Sequence, residues 1–195
     1  MTGGTGPPTQ EPPARGMDIV YFDLETQRTA NDVGGWDRKH EMGMSIGVTY
    51  SSRDQRYEIF PEDRAEALIE RLRRADLVVG FNTVRFDYDV LMAYTILDLR
   101  ENLVSLDLLQ DVERLAGHRV KLEDIAQATL GVGKTADGLD AIRWWREGKL
   151  AEIAKYCCFD VKVTRLVHEY GAAHKQILYN DRFGRIHSLP VDWKL

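Results

Sequence analysis

The residues of this chain whose types and spacing suit chemistry fall in three short blocks. They are Asp23 and Glu25 in Phe22-Asp23-Leu24-Glu25-Thr26, Asp87 at the end of Gly80-Phe81-Asn82-Thr83-Val84-Arg85-Phe86-Asp87, and Tyr156 with Asp160 in Tyr156-Cys157-Cys158-Phe159-Asp160. Asp23 and Glu25 follow the apolar run Ile19-Val20-Tyr21-Phe22, which reads as a buried strand. Residues two apart on a strand share a face, so the two carboxylates project together. Tyr156 and Asp160 are four apart in a segment of helical period, which stacks phenol and carboxylate on one helix face. Carboxylates gathered this closely repel and raise one another's pKa unless a cation sits among them. A donor set made only of oxygen suits Mg²⁺ or Mn²⁺ and not zinc.

The order Asp-x-Glu, then Asn-x-x-x-Phe-Asp, then Tyr-x-x-x-Asp resembles the DEDDy 3′–5′ exonucleases of the ribonuclease-H-like superfamily, including the exonuclease domains of family B DNA polymerases. The resemblance runs from about Met17 to about Gly171. The histidine branch of that family needs His where Lys155 or Tyr156 stands, and the next His, at 168, is eight residues beyond Asp160. The resemblance implies two divalent ions, Mg²⁺ or Mn²⁺. Asp23, Glu25 and Asp160 would hold the one that positions the attacking water, and Asp23 with Asp87 the one beside the leaving oxygen. Tyr156 would orient the water, while Leu24, Thr26 and Asn82 would lie near the 3′-terminal nucleotide. The implied activity is release of nucleoside 5′-monophosphates from the 3′ ends of single-stranded DNA or RNA, with a helicase or polymerase as partner and DNA repair as setting. Two rivals stand beside it: a non-catalytic nucleic-acid-binding module, and an endonuclease of the ribonuclease H type, which has no use for Tyr156 four residues before Asp160.

The implied fold is α/β, ribonuclease-H-like, with a five-stranded mixed sheet flanked by helices, and the element order read from the sequence agrees. Strands are expected over residues 18–24, 44–50, 56–60, 77–81 and 104–107. Helices are expected over 62–74 and 87–97, then from 108 to about 179 with breaks at Gly117, Gly131 to Gly138 and Gly148, before a closing loop over 182–195. Residues 1–16, rich in Gly, Pro and Thr, read as a disordered tail, and 17–195 as one domain.

With 195 residues, 44% of them apolar, the chain suits one well-buried domain. Its apolar runs are strand-sized, so a soluble protein with no membrane span is expected. Two adjacent cysteines and no leader before Met17 point to a reducing cytoplasm. Cys157 and Cys158 read as small buried groups and not as ligands. The net charge of −5 is unusual for a nucleic-acid binder. Local basic groups stand at Arg71, Arg73 and Arg74, read as a solvated helix face, and at Arg143, Arg146 and Lys149. Gly131-Val132-Gly133-Lys134-Thr135 lacks the first glycine of a phosphate-cradling loop, which leaves Lys134 as a loop lysine. Trp144 and Trp145 cannot both face one way, so at least one belongs in the core. Asp89, Asp107 and Asp140 read as caps or surface acids, and the five histidines as structural.

Overall fold

A five-stranded mixed sheet runs through the computed structural model, which describes residues 16–133 and 138–195. In chain order the elements are β1 (Ile19–Thr26), α1 (Ala30–Val33), β2 (Met44–Ser51), β3 (Arg56–Pro61), α2 (Ala65–Arg73), β4 (Leu77–Gly80), α3 (Asp87–Leu91), α4 (Leu99–Asn102), β5 (Ser105–Asp107), α5 (Leu108–Ala116), α6 (Leu122–Leu130), α7 (Gly138–Arg146), α8 (Leu150–His174), β6 (Gln176–Asn180) and β7 (Ile186–Pro190). The sheet order is β3-β2-β1-β4-β5. β1 pairs antiparallel with β2 and parallel with β4, which pairs parallel with β5. The tail expected over residues 1–16, apart from Gly16, and Lys134 lie outside the described residues. No described helix is long and apolar enough to cross a membrane.

The alternation of β1 builds two cores. Ile19 and Tyr21 enter the core that also holds Leu108, Val112, Ile125, Ile153, Cys157 and Val161, from α5, α6 and α8. Val20, Phe22 and Leu24 enter the other, with Leu68, Ile69 and Leu72 of α2 and Val90 and Leu91 of α3. Helices therefore cover both faces. On α2, Arg71 is not the solvated residue expected: its guanidinium donates at 2.9 Å to Asp18, which also accepts from the Ser51 hydroxyl at 2.7 Å. Burial alone would raise the Asp18 pKa, but the bonds from Ser51 and Arg71 outweigh it and hold the carboxyl below its ordinary range.

Helix α8 buries Ile153, Cys157, Val161, Thr164, His168 and Gly171, a stripe at the three- and four-residue spacing that faces a sheet. The His168 ring hydrogen-bonds the Tyr21 hydroxyl at 3.0 Å, and burial lowers its pKa to about 4, so the ring is neutral in the folded protein near pH 7. The expected helix to residue 179 stops at His174, because Lys175 turns left-handed (φ 58°) and the chain returns as the β6–β7 hairpin. The closing segment expected as a loop thus contains β7, and its end is anchored by Trp193, whose indole donates at 2.8 Å to Asp111. The helix expected over 87–97 is likewise cut short at Leu91. Tyr94 instead bridges two partners, accepting from the Met44 amide at 3.0 Å and donating to Glu62 at 2.9 Å.

Gly171 is the contact point of that anchor. A Cβ there would lie 2.4 Å from Trp193 Cε3 and 3.1 Å from Val191 Cγ2. Ala normally gains about 1 kcal/mol over Gly inside a helix, but overpacking costs about 1–3 kcal/mol. With Trp193 held at both its indole and its carbonyl, the clash should win. Urea denaturation is expected to show Gly171→Ala less stable by about 1–2 kcal/mol; a gain in stability would show that the tail yields freely.

Candidate metal centre

The parallel strands β1, β4 and β5 all end at one edge of the sheet, and β1 and β4 flank the point where the chain order reverses. Open α/β sheets bind ligands at that place. Beyond the buried Tyr21, the same face of β1 presents Asp23 and Glu25, both partly accessible. On α8, Tyr156 and Asp160 each precede a buried stripe residue, Cys157 and Val161, by one position. One position is a rotation of about 100° on a helix, enough to bring both to the edge of the sheet contact. Carboxylate oxygens of Asp23, Glu25 and Asp160 lie within 4.8 Å of one another. Tyr156 and Asp160 line the same cavity, and the Asp160 charge, after burial, helps raise the Tyr156 pKa. Cys157, read from sequence as a packing group, also donates its thiol to the Asp23 carboxylate and main-chain oxygen, both at 3.4 Å.

Asp87 stands outside that trio and is aimed by a separate element. It opens α3, and its Oδ1 accepts from the Leu24 amide at 3.1 Å, which ties it to β1 beside Asp23. The turn before it is pinned by Asp107, a buried cap and not a surface acid. Asp107 accepts from the amides of Asn82 at 2.8 Å, Val84 at 3.1 Å and Leu109 at 3.0 Å. Asn82 takes φ 70° there, and a Cβ on Gly80 would meet Thr83 at 2.2 Å, so this turn needs glycine at 80. Asp89 instead pairs with Lys39 and Arg100.

A cavity of 450 Å³ opens over these groups, with Asp23, Leu24, Asn82, Asp87, Tyr156 and Asp160 in its wall. Thr26 does not line it: after the register shift at Glu25/Thr26 its hydroxyl donates to Arg28 O at 3.1 Å. Trp36, Phe81, Phe86, Phe159, Arg119 and Lys121 also form the wall, and sequence reading singled out none of them. The alternation Arg119-Val120-Lys121, with only Val120 buried, was the available signal for the two cations. Trp144 and Trp145 are each half-buried against the core, and Trp144 sets its ring edge-on to Tyr156 at 6.2 Å. The second basic group is ion-paired, Arg143 to Asp140, Arg146 to Asp32 and Lys149 to Glu147.

Burial, then the neighbouring carboxylates Asp87, Glu25 and Asp160, push the Asp23 pKa well up, and only the Cys157 thiol pulls it down. Burial and then Asp160 and Asp87 raise Glu25 in the same way. Burial raises Asp87 to about 8. The Tyr156 phenol and the Cys157 thiol are both pushed up, first by burial and then by the surrounding acids, so each keeps its proton near neutral pH. A divalent cation among the oxygens would reverse this balance, and the donors are hard oxygens of the kind such a cation takes. The residues present therefore fit a metal site.

A family model for the RNase H superfamily matches residues 20–172. No curated protein sequence matches the chain. Among solved structures, the family B DNA polymerase from the hyperthermophilic archaeon Pyrobaculum calidifontis is similar with a TM-score of 0.60 and 17% identity, over 83% of this chain. The match spans 25% of the polymerase chain, and at that identity it is a likeness of fold. The five-stranded mixed sheet, its helical layers and the family match over most of the length agree: the chain belongs to the RNase H superfamily.

Proposed function

We propose that this domain is a metal-dependent 3′–5′ exonuclease that removes nucleoside 5′-monophosphates from single-stranded 3′ ends. The observation that carries the reading is the Tyr156 phenol set beside Asp160 in the cavity wall at the three-carboxylate cluster, with Asp87 supplied by another element. Asp23, Glu25 and Asp160 would hold one divalent ion and Asp23 with Asp87 a second. A pair of ions about 3.5–4 Å apart supplies Lewis-acid stabilisation to both the entering and the leaving oxygen of an in-line displacement at phosphorus. Tyr156 orients the water, and because its proton is held tightly it acts by position and not as a base. Leu24 and Asn82 face the terminal nucleotide from the cavity wall, with Thr26 behind them at the strand end. A polymerase or helicase partner belongs to the same proposal.

Direction is the first test. Purified protein with Mn²⁺ and 5′-labelled single strands is expected to give a ladder of products, to leave closed circular strands intact and to ignore a blocked 5′ end. A single internal cut, or rapid cleavage of circles, would mark an endonuclease, and no change would mark a binding module.

Tyr156 and Asp160 separate in a second test. Asp160→Ala removes a ligand and is expected to abolish turnover. Tyr156→Phe keeps every carboxylate and deletes one positioning hydroxyl, which typically costs on the order of 10²–10⁴-fold in rate. Steady-state turnover of the Phe variant at the wild-type rate would remove the tyrosine from the mechanism.

A further inference from the structure

The proposed chemistry leaves one wall of the cavity unused. Arg119 and Lys121 line it on either side of Val120, whose side chain is buried in the core. Lys121 is extended (φ −81°, ψ 150°), so the two cations share the side opposite Val120. Among the described residues neither forms an ion pair, unlike Arg143, Arg146 and Lys149. Next to Arg119, His118 meets Tyr179 edge-on at 5.8 Å, and Tyr179 stacks on His187 at 5.2 Å. Those two rings belong to the β6–β7 hairpin, which lies beyond the family match at residues 20–172.

The hairpin ends in an ordered basic and aromatic tip. Asp181 fixes the turn, accepting from the amides of Phe183 at 2.8 Å and Arg185 at 2.9 Å, and its other oxygen meets His187 at 3.0 Å. Phe183 is 70% exposed and lies under two guanidinium groups, Arg182 at 4.7 Å and Arg185 at 5.9 Å. A large apolar ring held out in water between two cations is costly for a solubility device and well made for a nucleobase with flanking phosphates. On a chain of net charge −5, basic side chains left unpaired along one strip are a local field of opposite sign.

Building on the exonuclease reading, we propose that a strip from the cavity through Arg119 and Lys121 to Arg182, Phe183 and Arg185 is the track for the substrate strand on the 5′ side of the scissile phosphate. Arg119 and Lys121 take the first phosphates, and the hairpin tip takes a base and phosphates further along. Short substrates therefore reach only the first pair.

The test uses full-length protein carrying Asp160→Ala, so that substrate is not consumed, and 5′-fluorescein oligothymidylates of two lengths, a trimer and a 15-mer, followed by anisotropy across a salt series. Replacing Arg182, Phe183 and Arg185 together by Ala is expected to weaken the 15-mer about five-fold or more through the lost stack. It should also lower its log K against log salt slope by about 1.4, roughly 0.7 per cation on a single strand. The trimer should bind as before, whereas Arg119→Ala with Lys121→Ala should weaken both lengths. All three tip residues are exposed, and an unchanged thermal midpoint confirms the fold. Equal 15-mer binding and slope in the tip variant, in a protein whose unsubstituted form degrades the 15-mer, overturns the track alone. A protein that neither binds nor degrades the 15-mer overturns the exonuclease reading and the track together.

Discussion

The packing of α8 across β1 and β2 is the constraint on which the rest depends. Ile153, Cys157 and Val161 share one buried core with Tyr21, Ile46 and Val48. His168 is bonded to Tyr21 further along, and Gly171 lets Trp193 close against the end of the helix. Once that stripe is seated, the rotation of the helix is settled. Tyr156 and Asp160 can then only emerge beside Asp23 and Glu25. The strand contributes the same logic from its side, since burying Ile19 and Tyr21 commits Asp23 and Glu25 to the face that α8 covers.

That geometry works against the electrostatics. Burial and mutual repulsion both disfavour ionised carboxylates here, and the packing of the elements that carry them holds them together. Asp87 is held by the Leu24 amide, and its turn by the Asn82 and Val84 amides, which donate to Asp107. Such rigidity has a function when the stabilising charge arrives from outside. Carboxylates free to swing apart would relax their repulsion and bind a cation less well.

Much of this was legible in the sequence where a short period carries the information. Two-residue spacing identified Asp23 and Glu25 as a pair, and four-residue spacing did the same for Tyr156 and Asp160; the strands fell within a residue or two of their expected places. Longer-range pairing left no such mark. Arg71 looked like a solvated arginine because its partner Asp18 is 53 residues away. The hairpin of β6 and β7 was missed because apolar residues such as Ile177, Leu178 and Tyr179 continue a helical run, and only the left-handed Lys175 and the anchored Trp193 redirect the chain. Asp107 read as an ordinary cap, which it is, but its hold on the Asn82 turn comes from the parallel pairing of β4 with β5.

The central claim is that the carboxylate cluster is a metal centre. It is tested most directly by the thermal midpoint in EDTA and in Mn²⁺ across pH, for the wild type and for Asp23→Asn. A carboxyl whose pKa is raised by folding keeps its proton longer in the folded state, so its contribution to stability is full below about pH 4 and is lost as pH rises through the folded value. For Asp87 that value is about 8, and Asp23 and Glu25 are raised as well. The wild-type midpoint in EDTA should therefore fall with rising pH. Mn²⁺ should oppose the fall, with a gap that widens as the ligands deprotonate. Asp23→Asn should flatten the EDTA curve and close most of the gap. A midpoint insensitive to Mn²⁺ at every pH, with Asp23→Asn behaving as wild type, would contradict the account.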